Sequence, residues 1–207
     1  MGKRTTYHHG NLRQELIDRA AIVIDRDGIE ALTLRGLARE LGVSHGAPNR
    51  HFKNKAELLA ALATEAYEQA HHATVEAAEE VGDNPVRRLN AMGRGFLNWA
   101  LDNRALFNAL NHPDIKRSAD EALLSSMRTF QLAAREASIA AQAAGRHADV
   151  DSKLLALYNN SVPFGAAQLI DHPVFAAQIN HLPREEMVEQ LMELVVPVRK
   201  QDQAPSH

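Results

Sequence analysis

The 207-residue sequence predicts an all-α protein: a three-helix N-terminal head carrying a helix-turn-helix, then a larger helical body. Three observations predict it. Apolar residues recur at helical spacing, strand-like alternation is missing, and after residue 56 the sparse Gly and Pro residues fall between helical stretches.

The elements follow in order. Leu12, Leu16, Ala20, Val23 and Ile24 make one apolar face, which Gly28 stops, and Asn11 and Gln14 have the spacing of a capping box. Thr33 caps a second helix in which Leu34, Leu37, Ala38 and Leu41 follow the i, i+3, i+4, i+7 pattern. Gly42 supplies the left-handed residue that ends this helix, and Val43 tucks under the bend. Ser44 suits the N-cap of a third, short helix running through Arg50 and His51. Two short helices joined by a tight Gly-containing turn form a helix-turn-helix, whose second helix is narrow enough for the major groove. Asn54 and Glu57 make another capping box, opening a long helix with Leu58, Leu59 and Leu62. Further helices are expected at about 55–80, 85–103, 104–111, 117–144, 151–171 and 184–200, with 82–85, 112–113, 145–147 and 172–173 as connections. The expected domains are 1–55 for the head and 56–207 for the body, with 1–6 and 201–207 disordered.

Composition narrows the function. The chain is 45% hydrophobic and 24% charged and has no Cys, which excludes a disulfide framework or a thiolate metal site. The lack of a long apolar run argues against a spanning helix or signal-peptide core, so the expected location is the cytoplasm and no membrane partner is expected. Net charge is −3, yet residues 1–55 hold ten Lys/Arg against six Asp/Glu (+4), and the remainder thirteen against twenty (−7). A basic head on an acidic body suits a protein that presents one face to phosphates.

Ser44 to His51 are expected to face the groove. Gly46 and Ala47 are small enough to bring the backbone near base edges, and Ala47 could meet a thymine methyl. His45, Asn49 and Arg50 are the hydrogen-bonding candidates, toward bases or phosphate, and Pro48 sits just beyond the first turn. Lys55 opposes the dipole of the helix it opens, which makes sense if a phosphate binds there; Thr33 offers another phosphate contact. Phe52 reads as core, and Lys3 and Arg4 as a solvated tail. His8 and His9 read as caps or backbone contacts, and the remaining histidines lack ligand spacing, so neither metal nor cofactor is expected. No nucleophile–base pair, phosphate loop or conspicuous carboxylate pair suggests an enzyme. In the body, Leu191, Leu194 and Val195, and separately Leu154, Leu157, Tyr158 and Ser161, form stripes at helical spacing.

Tyr7-His-His-Gly-Asn-Leu-Arg13, Gly42-Val-Ser44, Gly46-Ala-Pro48, Arg50-His-Phe52 and Lys55-Ala-Glu-Leu-Leu59 together resemble the DNA-binding domain of tetracycline-repressor-type (TetR-family) regulators, over about residues 5–65. The start and the Gly-Ala-Pro segment are similar to a subgroup whose C-terminal domain bears a Trp-His-Gly signature; Pro163-Phe-Gly165 is its nearest counterpart here. The resemblance implies DNA contacts at Thr33 and Lys55, and Asn49 departs from it by standing where the family usually has a phosphate-binding Tyr. It further implies that helices near 151–171 and 184–200 pair with their copies in a second subunit. A ligand cavity is implied between the middle helices, with Met92, Phe96, Trp99, Phe107, Leu110, Met127, Phe130 and Phe164 as candidates. The function expected is therefore a homodimeric repressor of a palindromic double-stranded DNA operator, released by a small apolar effector; the alternative is an effector-independent architectural DNA-binding protein.

Overall fold

A computed structural model describes residues 11–110, 112, 113, 115 and 119–197, so the terminal tails and Lys3, Arg4, Tyr7, His8 and His9 lie outside the described residues. The described residues form nine α-helices and no strand: α1 Leu12–Asp27, α2 Leu34–Glu40, α3 Lys55–Glu79, α4 Pro85–Asp102, α5 Arg104–Leu110, α6 Glu121–Ala143, α7 Ser152–Leu169, α8 Pro173–Ile179 and α9 Arg184–Val195. None is long and apolar enough to cross a membrane. They pack into two units, one running to Ala66 and adding Arg104–Leu124, the other holding Tyr67–Asn103 and the described residues from Ser125 onward.

In the first unit the apolar stripe of α1 closes on α2, α5 and the start of α3, burying Leu16, Ile17, Ala20, Leu37, Leu58 and Leu62. Phe107 and Leu110 of α5 belong to this core at 0% and 5% exposure. Arg26 bridges Asp27 and Glu40, tying the end of α1 to the end of α2; the hydrogen bond from Arg26 holds the Asp27 carboxyl below the usual carboxylate range. The start of α1 departs from the capping-box expectation. Asn11 makes no side-chain cap, and Gln14 instead donates to Asp18 at 2.9 Å and to Glu65 at 2.8 Å. A longer-range partner has won over the local cap.

In the second unit α4 is the central helix, packed on α7 and α9. Asn84 caps it through bonds from the Val86 and Arg87 N–H groups, with Pro85 at the first position where its missing N–H costs nothing. Contrary to the expectation that Gly and Pro only separate helices, Gly93 and Gly95 lie inside α4 and Pro163 inside α7. Close approach explains the glycines. A Cβ on Gly93 would sit 2.6 Å from Met192 Sδ, and one on Gly95 would sit 2.5 Å from the Ala73 carbonyl oxygen and 2.8 Å from Ala77 Cβ. Asn90 donates to the Val196 carbonyl at 2.9 Å, Arg94 pairs with Glu189, and Arg184 pairs with Asp102, so α4 and the α9 segment are joined by polar contacts at three levels. A helix missed in the sequence, α8, starts where His172 caps Val174 N–H ahead of Pro173.

Gly95→Ala is therefore expected to destabilise the protein although Ala is the better helix former by about 1 kcal/mol. The new methyl meets backbone, which cannot rotate away, and overpacking of this kind costs about 1–3 kcal/mol. Thermal denaturation followed by circular dichroism checks it; an unchanged or higher Tm would mean that α3 and α4 can separate freely at this crossing.

Candidate nucleic-acid interface

The turn after α2 is built by a Gly in the left-handed region. Gly42 has φ +68°, and the bonds from Gly42 N–H to the Arg39 carbonyl (3.3 Å) and from Val43 N–H to the Ala38 carbonyl (3.0 Å) form the double closure of a Schellman motif. The chain that follows differs from the expected short α-helix. Ala47 N–H bonds the Ser44 carbonyl at 2.9 Å, and only Pro48–Arg50 form a helical turn, of the tighter 3-10 kind. Pro48 accounts for this: it has no N–H to give the Ser44 carbonyl and its ring would press on that oxygen, while Gly46 adds no helix propensity. The segment is thus a compact double turn, with Pro48 buried beneath it.

Its polar side chains point outward. Ser44, His45, Gly46, Asn49, Arg50 and His51 are exposed, Ala47 is half-buried, and Phe52 is 3% exposed in the core below. The Arg13 guanidinium lies 5.4 Å from the centre of the Phe52 ring. Thr33 caps α2 by accepting from Gly36 N–H at 3.0 Å, which leaves its hydroxyl proton available to a ligand. The same cap explains Gly36, because a Cβ there would lie 2.9 Å from Thr33 Oγ1. Asn54 accepts from Glu57 N–H, as the capping pattern at the start of α3 implied, while the Glu57 carboxylate accepts from the N–H of Lys53, one residue before the cap, rather than from that of Asn54 itself. Lys55 carries a bond that the sequence did not announce: its half-buried ammonium donates to the Ile29 carbonyl at 2.6 Å, on the 3-10 turn before α2. Two of its three N–H donors remain for another acceptor.

The body residues named from sequence separate. Phe96 is a hub with ring centroids at 5.7 Å from Phe130, 6.0 Å from Trp99 and 6.1 Å from Phe164, the last stacked. Tyr67, not named from sequence, joins through Phe130 at 5.9 Å, and burial pushes its hydroxyl pKa up. Met92 and Met127 are half-buried in the same unit, whereas Phe107 and Leu110 belong to the first. Trp99 lines a cleft of about 340 Å³ with Ala73, Gly95 and Asn98. Of the stripe residues, Leu154, Leu157, Tyr158, Ser161 and Leu194 are exposed, Leu191 is half-buried, and Val195 is 5% exposed, inside the unit's own core. Among the described residues no group of three or more His, Asp or Glu is placed to hold a metal ion.

Residues 16–62 match the family of bacterial regulatory proteins, tetR family. The tetracycline repressor protein class D of Escherichia coli is 39% identical over 80 residues, which cover 39% of this chain and 36% of that repressor; the chain thus matches about a third of this curated relative's length. Over nearly its whole length the chain resembles a protein of unknown function from Rhodococcus sp. RHA1 (TM-score 0.76, 29% identity, 92% of this chain and 96% of the other). The TetR family transcriptional regulator PfmR from Thermus thermophilus shares the fold (TM-score 0.68, 21% identity, 87% and 96% covered).

Proposed function

We propose that this chain, a TetR-family DNA-binding transcriptional regulator by its head and its fold, is a repressor that binds a palindromic operator as a homodimer and releases it when a small apolar molecule enters the body. The observation that carries the reading is the exposed Ser44–His51 double turn, which contains buried Pro48 and is followed by buried Phe52. In this account His45, Asn49, Arg50 and His51 meet base edges or phosphate, Gly46 and Ala47 permit close approach, and Thr33, Ser44 and Lys55 bind the backbone. The head, residues 1–55, supplies these contacts, and the body, residues 56–207, supplies the partner face and the effector site. Exposed Leu154, Leu157, Tyr158, Ser161 and Leu194, with half-buried Leu191, are the partner face, and a two-fold pair of heads reads two half-sites about one DNA turn apart. The aromatic cluster around Phe96, with Met92 and Met127, is the adaptable apolar lining for the effector. Occupancy that shifts the spacing of the heads needs a coupling of only about 1–3 kcal/mol to change affinity about 5- to 150-fold. The subgroup with the Trp-His-Gly signature remains part of this proposal, with Phe164 where the His would stand.

Lys55→Ala tests the backbone role. It is expected to weaken binding to all duplexes alike and to reduce the salt slope by about 0.9, the value of one phosphate contact. Arg50→Ala is expected instead to change the preference between sequences, by about 1–3 kcal/mol for a base-edge contact. Fluorescence anisotropy across a salt series separates them; loss confined to one base-pair position for Lys55→Ala would contradict its assignment. Asn49→Tyr, which restores the family's longer side chain on an exposed position, is expected to tighten binding by about 0.5–1.5 kcal/mol. Unchanged or weaker binding would place Asn49 at a base.

A further inference from the structure

The cations of the first unit sort into two sets. Arg19 and Arg26 are turned to Glu40 and Asp27, whereas Arg13, like Arg35, Arg39 and Arg50, makes no side-chain hydrogen bond or ion pair among the described residues, and Arg13 is the member of this second set that lies against an aromatic ring. Arg13 is exposed, yet its guanidinium is not free to wander: it lies 5.4 Å over the ring of Phe52, the residue that closes the double turn directly after Arg50 and His51. A guanidinium drawn to an aromatic ring by cation–π attraction engages the ring's face and leaves its N–H groups for other acceptors. The ring therefore fixes the side chain's direction without consuming a donor, and less conformational freedom is lost when an anion binds.

We propose that Arg13 is a further DNA contact: a guanidinium held by Phe52 that grips a backbone phosphate beside the segment formed by Ser44–His51. The phosphate is bound by paired N–H···O bonds, a geometry that Arg offers and Lys does not. This rests on the DNA-binding reading above and adds to it a contact from α1, a helix outside the helix-turn-helix. It also gives Phe52 a second role, since the ring that fills the core below the double turn also orients a ligand-binding cation above it. The contact is sequence-independent, so it contributes equally to operator and non-operator DNA.

Binding of the full-length protein and of Arg13→Gln and Arg13→Lys to a mixed-sequence DNA duplex over a series of salt concentrations tests it. Gln keeps a polar stem over Phe52 and removes the charge. It is expected to weaken binding about tenfold at low salt, as loss of a charge-assisted contact does, and to lower the salt slope by about 0.9, with Tm unchanged. Arg13→Lys is expected to keep the slope while binding more weakly than wild type. An unchanged slope in Arg13→Gln, with or without a lower Tm, would reduce Arg13 to a cover for Phe52 and overturn the proposal while leaving the DNA-binding reading intact. Wild-type protein that fails to bind any duplex at low salt would overturn both.

Discussion

Leu157→Glu is expected to turn the proposed dimer into a folded monomer. Leu157 is 65% exposed on α7 and Leu194 77% exposed on α9, with Leu154 and Tyr158 alongside, so the single chain leaves an apolar stripe in water. Full burial of a Leu side chain stabilises by about 1.5–3 kcal/mol, which several such residues, doubled by two-fold symmetry, turn into a strong drive to pair. A carboxylate at that face would be buried without a partner, costing several kcal/mol. The isolated chain does not bury Leu157, so its own core is left alone and the monomer should melt close to the wild-type temperature. Sedimentation equilibrium reads the mass, and DNA titration should show weak, salt-sensitive binding without preference for a palindrome. Leu194→Glu is expected to act the same way, whereas Val195→Glu should unfold the chain, because Val195 is already 5% exposed within it. A wild-type monomer, or unfolding of Leu157→Glu before it dissociates, would remove the dimer from the account.

Phe96→Ala is expected to be the most destabilising alanine substitution in the aromatic cluster of the second unit. The Phe96 ring is 6% exposed and packs near the rings of Trp99, Phe130 and Phe164. Truncating a buried Phe costs about 3–5 kcal/mol, through lost burial and the cavity left behind. For a chain of this size that corresponds to a Tm lower by roughly 10 °C. Phe130 and Phe164 are half-buried, so their truncation should cost less. Calorimetry on the three variants orders them. Equal losses would mean that the cluster has no hub, and no loss at Phe96 would mean that its neighbours close over the gap.

How much was legible in sequence depended on whether one local interaction decided the element. Asn84-Pro85, Thr33 and Asn54-Glu57 were readable as helix starts because a short polar side chain there has a partner only two or three residues on, and each forms that bond. Gly42 was readable because a left-handed residue ends α2 whatever else packs nearby. Asn11-Gln14 misled because Glu65, fifty-one residues away, offers Gln14 a competing acceptor. The short helix expected at Ser44–His51 became a double turn because Pro48 outweighs the N-cap ahead of it. His172-Pro173, read as a connection, opens α8, since the same dipeptide is both a break and a helix start. In the candidate site, which side chains are exposed followed from the pattern, but the partners did not: neither the Lys55–Ile29 bond nor the Arg13–Phe52 contact has a signature in spacing, because both join residues distant in the chain. Size and residue type alone mark the eight pocket candidates, and neither distinguishes the core around α5 from the cluster around Phe96.

The central claim is sequence-specific recognition by a symmetric pair of heads. Selection of bound duplexes from a random-sequence DNA pool by the full-length protein tests it most directly. Enrichment of an inverted repeat, its half-sites about one helical turn apart and its enrichment lost in Leu157→Glu, is the result this account predicts. Recovery of an unenriched pool, or of a single undivided site equally enriched by wild type and Leu157→Glu, would contradict it.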